Sequence, residues 1–269
     1  MSFYTFDIET IPGDEEIIRS LMPDDIGNPR MPRDLEHYVY VQHKGLSDPA
    51  KIEEHRRKHQ ADHQAKIADW NAKCIDAELK FFDRAALDAT TGEIAIIGVM
   101  SPDKRVTVFV NAVGVFKTSA HNVHILSCES ELVMLREWWA YVRQAWKTED
   151  GFEPRFAGVY SSGPNGFDLP FLIQRSWINR VALPNVPIMA GRYAAPCWID
   201  LADRWSLGRR EKMPSVNTLA KALRCKSAKL EGKDGSTFRD LWQRDKNEAI
   251  AYNVQDLVTE REIAEAMGL

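Results

Sequence analysis

The sequence predicts an α/β protein, with a mixed five-stranded sheet flanked by helices and a long insertion after the first strand. Short runs rich in aromatic and β-branched residues alternate with longer segments whose apolar residues recur at helical spacing. A hairpin signal, TGEIAIIGVMSPDKRVTVFV over residues 91–110, surrounds a Ser-Pro-Asp-Lys turn. A polar, helix-prone stretch separates the first strand from that hairpin, so residues 12–90 form the insertion.

The elements follow in order. YTFDIET, residues 4–10, marks a strand, read over residues 2–9, that is stopped by Pro12 and Gly13. MPDDIGNPRMPRDL, residues 22–35, is loop by its Pro, Gly and Asp content. Residues 49–73 predict an exposed helix, on which His55, His59 and His63 share one face. That row has no metal-binding pattern around it and reads as a solvated face. The hairpin and the first strand predict an antiparallel three-stranded unit. In the helix of residues 129–146, Leu132, Leu135, Trp139, Val142 and Trp146 form the apolar stripe, and the adjacent Trp138 and Trp139 are not both expected to face the core. A strand at 155–160, a helix from Asp168 to about Asn179, a short strand at 197–201 and helices at 215–224 and 245–267 complete the chain.

Composition excludes several classes. Apolar, aromatic and charged fractions of 44, 10 and 28% are those of a folded soluble protein, not a disordered one. The longest apolar run, IAIIGVM, is too short to span a bilayer, and the start lacks a basic region followed by an apolar one. A cytoplasmic protein with no membrane partner is expected. Cys74, Cys128, Cys197 and Cys225 are scattered without C-x-x-C spacing and read as reduced thiols. The net charge of −4 hides an asymmetry: between Asp203 and Lys233, nine basic residues stand against three acidic ones, a local +6. That stretch is either a solvated loop or a phosphate-binding surface.

Three places carry chemistry. Asp7 and Glu9 are two apart on a strand, so both project from one face while Tyr4, Phe6 and Ile8 face the other. Two anions held that close call for a cation, unless the strand ends at a wet sheet edge. Asp168, in GFDLPFLIQRSWINR, stands where loop becomes helix and is either a cap or a ligand. Tyr252 and Asp256 are stacked four apart on a helix whose start, Asp245 with Glu248, resembles a capping box. Such a pair is otherwise a half-buried Tyr beside an exposed Asp.

In this order, FDIET (6–10), GFDLPFL (166–172) and YNVQD (252–256) resemble the three exonuclease motifs of the DEDD superfamily. The tyrosine variant is the match, similar to the proofreading domain of family B DNA polymerases and to stand-alone 3′-to-5′ exonucleases of bacteria and phages. The resemblance implies one RNase H-like exonuclease domain over residues 1–269, with residues 12–90 inserted. It further implies two Mg²⁺ or Mn²⁺ ions held by Asp7, Glu9, Asp168 and Asp256, and Tyr252 orienting the attacking water. Thr10, Ile11, Asn165 and Phe167 are implied to hold the terminal nucleotide. Arg209, Arg210 and Lys212 of the basic stretch would track phosphates. Single-stranded DNA is the expected substrate, with RNA or the 3′ ends of duplex DNA as alternatives, and a replication or repair protein is a candidate partner. The chain ends soon after the third motif, so proofreading in cis is not expected. One position departs from the pattern: the family places an Asn about five residues before the second-motif Asp, where this chain has Gly163. A non-catalytic nucleic-acid-binding module on the same fold is the rival from another class.

Overall fold

The computed structural model describes residues 3–269 apart from 28, 43, 46, 119–121, 149–152, 190–192, 194, 208–213 and 227–237. The chain divides into two compact units, one of residues 1–13 with 86–269 and the other of residues 14–85.

The larger unit is α/β. Its sheet comprises β1 (Tyr4–Pro12), β2 (Gly92–Met100), β3 (Val106–Val110), β4 (Val123–Ser127), β5 (Phe156–Gly158) and β6 (Trp198–Asp200), in the order β4-β3-β2-β1-β5-β6. β1, β2 and β3 are antiparallel neighbours, as the hairpin signal predicts, and β3–β4, β1–β5 and β5–β6 are parallel. The sheet therefore has six strands, not the expected five. The extra strand, β4, is an edge strand whose residues are half-buried or exposed, so V-H-I-L-S carries too little apolar alternation to signal it.

Helices cover both faces. Tyr4, Phe6 and Ile8 pack with Ile94, Ile97, Val99 and Phe109 against residues of α5 (Glu131–Thr148) and α6 (Asp168–Ile178). On the opposite face Ala95, Ile96, Val106, Val108 and Val110 meet α9 (Phe238–Arg244) and α10 (Lys246–Ala266). A third cluster joins Phe3, Ala157 and Val159 to α7 (Leu201–Ser206), α8 (Val216–Ala222) and the last turns of α10. Asp245 caps α10, accepting from the N–H groups of Asn247 and Glu248 at 2.9 and 3.2 Å.

The tryptophan expectation is overturned. Trp138 and Trp139 are both buried, because α5 is covered on one side by the sheet and on another by α6. Trp138 lies among Phe6, Phe109 and Phe156, while Trp139 Nε1–H donates to Ser176 Oγ at 2.8 Å. A buried ion pair fixes the same two helices: Arg175 on α6 donates to both carboxylate oxygens of Glu131 at the start of α5. Glu131 also accepts the Ile94 N–H at 2.9 Å and Asn179 Nδ2 at 2.7 Å, so the pair pins α5 and α6 to β2. Removing one partner of such a pair costs about 3–5 kcal/mol, because the other charge stays buried.

The smaller unit contains α1 (Glu15–Leu21), α2 (Asp24–Gly27), α3 (Arg33–Glu36) and α4 (Pro49–Ala85). α4 continues well past the expected end near residue 73. Its histidine row is not a solvated face. His55, His59 and His63 are half-buried under Tyr38 and Tyr40, with ring centroids 5.0–5.8 Å apart and Tyr40 Oη 3.1 Å from His55 Nδ1. The two tyrosines lie between the loop read over residues 22–35 and the helix read from residue 49, where the sequence reading assigns no element.

Among the described residues, no helix is long and apolar enough to cross a membrane, and all four cysteines are free thiols.

Candidate metal centre

Three of the sequence-predicted acids meet at one point. Asp7 and Glu9 project from β1 toward α10, and each offers an oxygen that lies, with one from Asp256 on α10, within 4.8 Å of the other two. Glu9 and Asp256 are buried and Asp7 is half-buried. At that spacing each pair of charges repels by about 3–4 kcal/mol for an effective dielectric near 20. Three such pairs amount to about 10 kcal/mol, comparable to the whole stability of a domain. A cation held there would offset that cost. The donors are all carboxylates, which suits a hard divalent ion such as Mg²⁺ or Mn²⁺ better than zinc.

Asp168, the fourth acid, is the first residue of α6 and is 4% exposed. The capping alternative does not describe it: the N-cap position is Phe167, and Asp168 Oδ2 is buried without a hydrogen-bond partner among the described residues. Burial, followed by the charges of Asp7, Glu260, Asp200 and Glu9, pushes its carboxyl well above the ordinary carboxylate range. The charges of Asp7 and Glu9 therefore act on Asp168, which stands outside the trio that converges within 4.8 Å. Because folding raises this pKa, its contribution to stability is full below the unfolded value and is lost as pH rises through the folded one. In the presence of chelator, Asp168→Asn should therefore melt above the wild type at pH 8, with the difference closing toward pH 4. Each kcal/mol gained shifts the midpoint by about 2–4 °C, and thermal melts at the two pH values check it. An equal or lower midpoint at pH 8 would contradict the placement of Asp168.

Two residues to which the motifs assign no role set the position of Asp7. Asn253 on α10 is fully buried and donates from Nδ2 to Asp7 Oδ2 at 2.8 Å. Gly98 is the cross-strand partner of Asp7 on β2, and a Cβ there would lie 2.0 Å from Asn253 Oδ1. Only glycine leaves room for the amide to reach the carboxylate. The β1–β2 register also shifts between Glu9 and Thr10, a bulge beside the ligands, where such irregularities re-aim side chains.

The loop from Tyr160 to Phe167 carries Asp168 into place. The Phe167 N–H donates to Tyr160 C=O, and that of Leu169 to Ser161 C=O at 2.8 Å. Asp200 Oδ2 accepts the N–H groups of Ser162 and Gly163 at 3.1 and 2.9 Å. The space at Gly163 is small: a Cβ there would sit 3.0 Å from the Cβ atoms of both Asp200 and Asp203.

The other predicted residues divide. Thr10 and Ile11 are half-buried on β1 just past Glu9, and Ile11 packs on the α10 side of the sheet. Asn165 is exposed on the loop; Phe167 is half-buried, 5.0 Å from Phe171 between centroids. Tyr252 is half-buried one turn before Asp256, with its ring 6.1 Å from that of Phe238. Arg209, Arg210 and Lys212 lie outside the described residues, as do Lys229 and Lys233; Arg204, Lys221, Arg224 and Lys226 are exposed. Cavities of about 560 and 540 Å³ lie elsewhere and are lined by none of the four carboxylates. The charge cluster, not cavity size, marks the site.

No family model matches the chain, and no curated protein matches it in sequence.

Proposed function

We propose that this protein is a cytoplasmic, metal-dependent 3′-to-5′ exonuclease of the tyrosine-type DEDD class on an RNase H-like fold. It would release nucleoside 5′-monophosphates from single-stranded DNA. The observation that carries the proposal is the convergence of Asp7, Glu9 and Asp256, which are far apart in sequence, within 4.8 Å. Buried Asp168, on which the charges of Asp7 and Glu9 act, supports it, as does the antiparallel β1–β2–β3 unit extended by parallel β5 and β6.

Asp7, Glu9 and Asp256 would hold one cation, and Asp7 with Asp168 the second. Bound as a pair, such ions acidify the attacking water and stabilise the leaving oxygen of an in-line displacement. Asn253 keeps Asp7 in the orientation that serves both sites. Tyr252, one helical turn before Asp256, would position the attacking water through its hydroxyl. Thr10, Ile11 and the 163–167 loop border the carboxylates in sequence and would seat the terminal nucleotide. The basic stretch would follow the phosphates toward the 5′ side.

A time course on 5′-labelled single-stranded DNA and RNA of one sequence, with Mg²⁺, Mn²⁺ or chelator, tests this. The expected result is a ladder shortening from the 3′ end, fastest on DNA and absent in chelator. Faster shortening of RNA would reassign the substrate. Binding without cleavage in either metal would replace the enzyme with a nucleic-acid-binding module.

A further inference from the structure

β4 ends the sheet with a row of backbone groups that nothing pairs. The Val106 N–H donates to Asn122 C=O at 3.0 Å and the Cys128 N–H to Val110 C=O at 2.9 Å, so the even-numbered residues along β4 turn their backbone toward β3. By the alternation of a strand, Val123, Ile125 and Ser127 turn theirs outward. Among the described residues, these outward N–H and C=O groups have no hydrogen-bond partner. Sheet edges are normally guarded by charge, proline or a bulge. V-H-I-L-S has no Lys, Arg, Asp, Glu or Pro, and it pairs with Val106–Val110 without a register shift. The two ends of the strand differ. Ser127 Oγ donates to Ala112 C=O at 2.7 Å and accepts the Gly114 N–H at 3.1 Å, which fixes a turn whose Val113 and Val115 are 80 and 88% exposed. Ala112 and Phe116 beside them pack on the α10 side of the sheet. At the Val123 end, on that same side, lies the cavity of about 540 Å³, with an apolar floor of Met100, Val106, Val123, Val254 and Val258 under a charged rim.

We propose that β4 is the interface of a twofold dimer, in which a second copy of this chain lays its own β4 antiparallel to the first and the two sheets become one. An axis through Ile125, perpendicular to the sheet, sets Ile125 opposite its own copy and Val123 opposite Ser127. The outward residues then meet as hydrogen-bonded pairs and close up to about six backbone bonds. The same operation keeps the α10 sides together and carries the Ser127 end of each strand to the Val123 end of the other. The exposed valines of each copy therefore arrive at the cavity of its partner. An unrelated extended peptide would use the same backbone groups and leave Val113 and Val115 bare, whereas a second copy supplies knob and hole at once. A strand without Lys, Arg, Asp or Glu also meets itself without like-charge repulsion. β3 and β2 separate β4 from β1, so the pairing does not touch the strand bearing Asp7 and Glu9.

Sedimentation equilibrium of the full chain from about 1 to about 100 µM, with amide hydrogen exchange read residue by residue, tests this. The expected result is a dimer whose formation slows exchange at Val123, Ile125 and Ser127, while His124 and Leu126, turned toward β3, are protected at every concentration. Ile125→Pro removes one outward N–H and no bond to β3, so it should keep the monomer folded and raise the dissociation constant at least about tenfold. Val113→Lys with Val115→Lys, at positions exposed in the single chain, should weaken the dimer to a similar extent. A wild type that stays monomeric up to about 100 µM would overturn the proposal. So would a dimer in which exchange at the three outward amides is independent of concentration, or one whose affinity the lysine pair leaves unaltered, since either puts the contact elsewhere. If Ile125→Pro does not fold, the lysine pair and the alternating exchange pattern decide alone.

Discussion

Asp7→Ala lowers the rate of 3′-end hydrolysis by at least about 10³-fold and leaves the circular dichroism spectrum unchanged. That factor corresponds to about 4 kcal/mol of transition-state stabilisation, within what loss of a metal site removes. The fold is expected to survive, because the substitution relieves repulsion from Glu9 and Asp256 while giving up one hydrogen bond from Asn253. The check is the initial rate of shortening of 5′-labelled single-stranded DNA in saturating Mg²⁺, with Mn²⁺ binding measured in parallel. Activity within tenfold of the wild type would remove Asp7 from the chemistry, and with it the basis for the proposed function.

Gly98→Ala, outside every motif in sequence but paired across the sheet with Asp7, should be nearly as damaging. The new methyl would fall 2.0 Å from Asn253 Oδ1 and 2.8 Å from Leu257 Cδ1. The leucine end can rotate, but the asparagine is held by its bond to Asp7. Overpacking of this kind costs about 1–3 kcal/mol, or roughly 2–12 °C in the midpoint at this chain size. Activity should fall by about 10- to 100-fold, as it does when a group orienting a ligand is displaced. The double variant Gly98→Ala with Asn253→Ala separates the effects: removing the amide should restore most of the stability and none of the activity. Recovery of both would mean that Asn253 does not orient Asp7.

Much of this arrangement was legible because it depends on local periodicity. The two-residue period of a strand is enough to set Asp7 and Glu9 opposite Tyr4, Phe6 and Ile8, and those three residues do enter the core on the far face. Helical spacing likewise stacks Tyr252 on Asp256. What periodicity cannot show is how many neighbours an element has. α5 is covered on two sides, so both tryptophans are buried; α4 is covered by a tyrosine-bearing segment, so its histidines are not solvated. β4 pairs along only one edge and exposes much of its length, which leaves almost no pattern to read. Asn253 acquires meaning only through the Asp7 carboxylate that stands across from it. A signal for Gly98 did exist, since a lone glycine within IAIIGVM marks a close approach by another part of the chain. Arg209, Arg210 and Lys212 lie outside the described residues, so their part rests on charge count alone.

The way the chain leaves and re-enters the sheet bears on how such a protein changes over generations. Pro12 is paired with Gly92, and the Gly13 N–H donates to Thr91 C=O at 2.8 Å, so the chain leaves the ladder and rejoins it at neighbouring positions, with the excursion of residues 14–85 between. The cost of closing a loop grows only slowly with its length. Lineages are therefore free to lengthen, exchange or discard the excursion, while the strand bearing Asp7 and Glu9 keeps its register.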